Sequence, residues 1–145
     1  GKLVGNWFVE NTGGDVGGPG DYWATHLSFV YNHLDPLLIT VSMGNYSGQP
    51  RQFAVKGNTP DPVGVSVASG LVKYELVEFG YKTESGSDWN RLNFAKVSRA
   101  YEFDQVNGVV LVQMLEDRKI RFEAFPGKTA SQVNGFTNNA KVYER

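Results

Sequence analysis

The sequence predicts an all-β fold: a single-domain antiparallel meander of about eight to ten strands, curled into an up-and-down β-barrel, with a two-layer β-sandwich as the alternative. Three observations carry that expectation. Short stretches alternate apolar and polar residues with a period of two. Gly, Pro, Asn and Asp punctuate them roughly every 8–15 residues. Outside 127–139, no helical period persists over about ten residues.

The elements follow in order. LVGNWFVE (3–10) reads as the first strand. In YWATHLSFVYN (22–32), Trp23, Thr25, Leu27, Phe29 and Tyr31 share one face. HLDP turns the chain, and LLITVSM (37–43) returns with Leu37, Ile39, Val41 and Met43 on one side, a hairpin signature. RQFAVKG (51–57) precedes the turn NTPDP, and VGVSVAS (63–69) reads as a further strand with Val63, Val65 and Val67 on one face. LVKYELVEFGYKT (71–83) alternates as Val72, Tyr74, Leu76 and then shifts to Val77, Phe79, Tyr81, which predicts a β-bulge. RLNFAKVSRAYEFD (91–104) shows the same slip. Asn107-Gly108 is the strongest short hairpin signal and predicts a turn between two strands. RKIRFEAF (118–125) sets Ile120, Phe122 and Ala124 opposite Lys119, Arg121 and Glu123. Residues 127–139 allow at most a short helix near 128–138 after a Ser/Thr cap, and AKVYE (140–144) closes as the last strand.

Composition narrows the function. At 145 residues the chain suits one domain with a real core. Net charge is −1, and residues 1–50 carry Lys2 against Glu10, Asp15, Asp21 and Asp35, a balance that repels phosphate backbones. A nucleic-acid partner is therefore not expected. Membrane insertion is not expected either, because GVVLVQML falls far short of the roughly 20 apolar residues a spanning helix needs. Cysteine is absent, which excludes disulfides, thiolate metal sites and thiol nucleophiles. Such a soluble chain suits the cytosol, and equally a periplasm or secretion, and no cofactor or metal is expected.

Gly5-Asn6-Trp7, inside the first strand of a meander and followed by Phe8 and Val9, resembles the calycin group: lipocalins, fatty-acid-binding proteins and avidins. The resemblance implies an indole across the closed end of a barrel, an arginine packed on it, and a small apolar ligand inside. Arg118 or Arg121 is the nearest choice for that arginine. The lipocalin Thr-Asp-Tyr motif and the fatty-acid-binding helix pair are missing. On residue chemistry alone, Trp7 is equally an ordinary core aromatic.

Aromatics make up 13% of the chain, and Trp23, Phe29, Tyr31, Phe53, Tyr74, Phe79, Phe94, Tyr101, Phe103 and Phe122 could line a pocket or be the packing itself. Arg99, between Val97 and Tyr101, breaks an apolar face and could meet a ligand carboxylate, unless the bulge near 96–99 turns it outward. The expected ligand-binding set is Trp7, Trp23, Phe29, Tyr31, Tyr74, Arg99, Tyr101 and Trp89, holding a small apolar or amphipathic molecule without catalysis. A carbohydrate-binding module is the alternative, because GDYW, GNYSGQ and SDWNR each set an aromatic beside Asp, Asn or Gln, and Trp89 lies in a polar loop. A small barrel enzyme is the third reading. His26 and Ser28 share a face as a base and a hydroxyl, but no nucleophile elbow surrounds them. GGDVGGPG lacks the Lys-Ser/Thr and the helix that a phosphate loop needs, so it reads as a loop over one end of the fold. Asn45-Tyr46-Ser47 is a glycosylation sequon, meaningful only in a secreted eukaryotic chain.

Overall fold

The structure, a computed structural model, describes residues 1–12, 25–91 and 96–145. Among these, eight antiparallel strands close a barrel in chain order: β1 (Gly5–Val9), β2 (His26–Tyr31), β3 (Ile39–Tyr46), β4 (Gln49–Val55), β5 (Leu71–Thr83), β6 (Val97–Glu116), β7 (Lys119–Pro126) and β8 (Lys141–Glu144). β8 pairs back onto β1 through Phe8↔Glu144 and Val9↔Tyr143, so the sheet has no open side and is not a sandwich. The glycine loop, Trp23 and Phe94 lie outside the described residues.

Period-two patterning locates the core. Leu27 and Phe29 of β2, Ile39, Val41 and Met43 of β3, Val72, Tyr74 and Leu76 of β5, and Ile120 and Phe122 of β7 all point inward and are buried. Partners Trp7, Phe53, Val110, Val112 and Met114 complete one cluster that fills the lower barrel. Each buried aromatic or branched side chain contributes about 1.5–3 kcal/mol, so this cluster is the main source of stability.

Two segments differ from the sequence reading, and a third, 127–139, keeps within it. Residues 63–69 are not a strand but two 3-10 turns, Pro62–Gly64 and Val67–Ser69. The Asp61 carboxylate accepts from the Val63 N–H, and Ser66 and Ser69 cap each other reciprocally, so local hydrogen bonds outcompete the sheet. Asn107-Gly108 is not a hairpin turn; it lies inside the 20-residue strand β6. Leu76 pairs with Gly108 and Val77 with Val106, leaving Asn107 as the extra residue of a bulge. A Cβ on Gly108 would lie 2.2 Å from the Tyr46 hydroxyl and 2.9 Å from the Phe125 carbonyl, so glycine is required by close approach. Residues 127–139 hold only one 3-10 turn, Ala130–Gln132. This segment lies across the outer wall: Val133 and Phe136 pack on Val109, Leu111 and Phe125, and the Glu123 carboxylate accepts from the N–H and hydroxyl of Thr137.

The closed end explains the Gly-x-Trp pattern. Trp7 is fully buried and its indole N–H donates to the Leu3 carbonyl at 2.9 Å. The arginine over its ring is Arg145, with Cζ 4.3 Å from the centroid, not Arg118 or Arg121. Arg121 instead covers Phe136, and Arg118 donates from Nε to the Arg145 carbonyl. Gly5 has φ 149°, and a Cβ there would stand 2.5 Å from Arg145 Nη1. The glycine two residues before the tryptophan leaves the guanidinium room to reach the indole.

β5 and β6 continue past the barrel as a twisted ribbon. Irregular pairing at Leu76/Val77 and Val77/Phe79 bends its distal half against the outer wall. Phe79, Ala100 and Val106 pack there with Leu38, Ala54 and Val77, and Asn32 Nδ2 donates to the Tyr81 hydroxyl at 2.7 Å.

Candidate functional site

Opposite Trp7 the barrel opens. The end of β1, the β3–β4 turn and the β7–β8 connection meet at this end, and a cavity of about 690 Å³ lies there, bordered by Val9, Ser47 and Asn139. Its size is that of small-molecule sites, about 300–1,000 Å³. Inward parity along β7 supplies Phe122 and Ala124, and along β8 supplies Tyr143 and Lys141. Val9 at the end of β1 and Pro126 at the end of β7 add apolar wall. Thr12, Thr25, Asn45 and Ser47 bring hydroxyls and an amide to the rim. The site is thus apolar at its base and polar at its edge.

The base is continuous with the core. Tyr143 stands edge-on to Phe122 at 5.6 Å between centroids, and Phe122 stands edge-on to Phe29 at 6.3 Å. Phe29 in turn lies 6.3 Å from Tyr74. A ligand resting on Phe122 therefore meets a wall backed by rigid packing. Burial pushes the Tyr143 phenol above its ordinary pKa, which keeps it neutral at the pocket base. Lys141 is exposed, and its side chain has no hydrogen bond or ion pair among the described residues. Glu123, which also borders the cavity, has both carboxylate oxygens engaged by Thr137. Among the described residues that line the cavity, Lys141 is thus the charged group whose side chain has no hydrogen-bond partner, while Glu123 keeps its negative charge on hydrogen bonds from Thr137. The rim is shaped by the Ser47-Gly48 turn, where both residues have positive φ and Gly48 N–H donates to Asn45 Oδ1 at 2.8 Å.

The expected site residues separate into two groups. Trp7, Phe29 and Tyr74 are fully buried and form the packing of the lower barrel. Tyr31 ends β2 and is 49% exposed. Arg99 is exposed on the β5–β6 ribbon, and Tyr101 stacks there on Phe103 at 5.5 Å. Trp89 is half-buried, edge-on to Tyr81 at 5.7 Å, and its backbone N–H donates to the Tyr81 carbonyl. Trp23 lies outside the described residues. Of the aromatics expected to line a pocket, Phe122 borders the mouth cavity.

Tyr143 and Lys141 carried no expectation. The signal available was the phase of AKVYE, which sets Lys141 and Tyr143 on one face once Phe122↔Lys141 fixes the register. His26 and Ser28 share the outer wall: the imidazole lies 3.3 Å from Asn6 Oδ1 and 5.8 Å from the Phe8 ring, and burial lowers its pKa. Among the described residues no group of three His, Asp or Glu side chains is placed to hold a metal ion.

Comparison with known proteins finds no match to this chain among family models, curated proteins or solved structures.

Proposed function

We propose that the protein binds a small amphipathic ligand at the mouth of its barrel, without catalysing a reaction on it. The apolar body rests on Phe122, Ala124 and Tyr143, and a polar or anionic head meets Lys141 and the rim hydroxyls. The observation that carries this reading is the 690 Å³ cavity whose apolar base lies beside Lys141, a side chain without a hydrogen bond or ion pair among the described residues. Apolar pockets with a few convergent polar groups are the usual form of small-ligand sites. Among the described residues neither histidine borders the cavity, and the carboxylate that does, Glu123, is engaged by Thr137, which favours binding over chemistry. The calycin likeness supports the same reading: an indole capped by arginine closes one end and leaves the other for a guest.

Titration calorimetry with decanoate and decanol tests it. Decanoate should bind saturably, and Lys141→Gln should weaken it about tenfold while leaving decanol affinity unchanged, the effect of one charge-assisted contact. Absence of saturable binding by either molecule, or equal losses for both in Lys141→Gln, would remove the assignment.

A further inference from the structure

We propose a second binding site, for a small aromatic carboxylate, in the wedge where β4 and β5 separate. Among the described residues, β4 pairs with β5 only through Ala54↔Val77 and Val55↔Leu76, although β4 pairs with β3 from Gln49 onward. The bulge at Leu76/Val77 turns β5 away at that point. Arg51 and Gln52 of β4 then face Glu78 and Phe79 of β5 across a gap of about 370 Å³, with Phe103 of β6 and Arg91 at its sides. The volume suits a one- or two-ring molecule. No residue is shared with the mouth cavity.

The chemistry of the wedge is two guanidiniums, one carboxylate and two phenyl rings. Arg51 Nη2 bonds Glu78 Oε1 at 3.1 Å through a single, partly exposed contact, the weak kind of ion pair. Arg91 has no carboxylate partner among the described residues, so one positive charge remains uncompensated. Its guanidinium is laid on the Tyr81 ring, 5.0 Å from the centroid. Its backbone has φ 65°, a left-handed conformation costly for a residue with a side chain. Such outliers persist where the surroundings over-determine them, and they gather at ligand clamps. Phe103 is 41% exposed and backed by the Tyr101 stack, and Phe79 is braced edge-on against Tyr81 at 5.9 Å.

A planar carboxylate matches a guanidinium fork by two parallel hydrogen bonds. An attached ring would cover Phe103, which bare inorganic phosphate would leave exposed. Ring and carboxylate together therefore use both halves of the wedge.

The test is titration of the intact chain with 1-naphthoate, followed by ¹⁵N NMR and calorimetry, with inorganic phosphate as the comparison anion. Shifts should cluster at Gln52, Phe79, Arg91 and Phe103, and phosphate should bind at least about tenfold more weakly. Arg91→Gln should weaken naphthoate about tenfold, Arg91→Lys should recover part of that loss, and Phe103→Ala should weaken naphthoate but not phosphate. Arg91 and Phe103 are exposed, so circular dichroism should show both variants folded. Equal affinity in Arg91→Gln and the parent chain, shifts confined to the mouth residues, or no saturable binding to about 10 mM would overturn the proposal.

Discussion

The two ends of the barrel solve opposite problems with the same strands. At the closed end, Trp7, Leu3 and Arg145 tie residues far apart in sequence into one junction. The indole N–H is satisfied by the Leu3 carbonyl, and Arg145 donates to the carbonyls of Val4 at 3.2 Å and Lys2 at 2.8 Å. At the mouth, Phe122 and Tyr143 end the packing, and Lys141 lines the cavity with no side-chain partner among the described residues. One end uses its charge on the chain's own carbonyls, whereas the other leaves its charge available. The difference teaches that tight closure and an open cavity are separated along the barrel axis, and the proposed binding belongs to the second.

Removal of the indole is the largest test of that separation. Trp7→Ala deletes a fully buried side chain, its hydrogen bond and the surface under Arg145. We expect a loss of about 3–5 kcal/mol in urea unfolding, against at most about 0.5 kcal/mol for the exposed Lys141→Gln. Similar losses for the two variants would break the division between a structural end and a binding end.

A smaller effect separates the rim from the rest of the mouth. Gly108→Ala would place a methyl against the Tyr46 hydroxyl and two backbone atoms, those of Phe125 and Pro126. The Tyr46 hydroxyl donates to Asn107 Oδ1 at 3.0 Å, so the clash falls on a hydrogen bond that ties β3 to β6. We expect a cost of about 1–3 kcal/mol together with weaker decanoate binding, because β3 carries Asn45 of the rim. Gly64→Ala, with open space around its Cβ, should change stability by less than about 0.5 kcal/mol. A silent Gly108→Ala would mean that the bulge tolerates movement and that the rim is not fixed by it.

Gly108 also marks where the sequence stops being legible. The period-two faces of β2, β5 and β7 were readable because burial on one side of a sheet writes itself into alternating residues. Asn107-Gly108 was readable only as a local turn. Its place inside β6 depends on Leu71–Thr83 being long enough to pair through it, a contact no short window contains. Val63, Val65 and Val67 looked like a strand face for the same reason: a short apolar run does not reveal the Asp61 and Ser66–Ser69 bonds that curl it. The partner of Trp7 was misplaced because Phe8↔Glu144 decides which arginine arrives over the indole. The mouth shared this fate: Lys141 and Tyr143 become wall residues only once β8 closes the barrel.

Tyr74 lies between the two ends and sharpens the comparison most finely. It is fully buried, and its hydroxyl has no hydrogen-bond partner among the described residues. An unmade buried hydrogen bond costs about 1–3 kcal/mol, so Tyr74→Phe should stabilise the chain at neutral pH by about 1 kcal/mol. Burial, with a lesser contribution from Asp61, pushes the phenol well above the usual tyrosine range. The folded protein then holds a proton that the unfolded chain releases near pH 10, so the parent's stability is unaffected by this group's ionisation below about pH 10 and falls as pH rises further. Unfolding free energies measured at pH 7 and at about pH 11 should show a smaller decline in Tyr74→Phe than in the parent. If Tyr74→Phe is instead destabilising at pH 7 and weakens decanoate, the hydroxyl serves the ligand, and the mouth extends into what the packing shows as solid core.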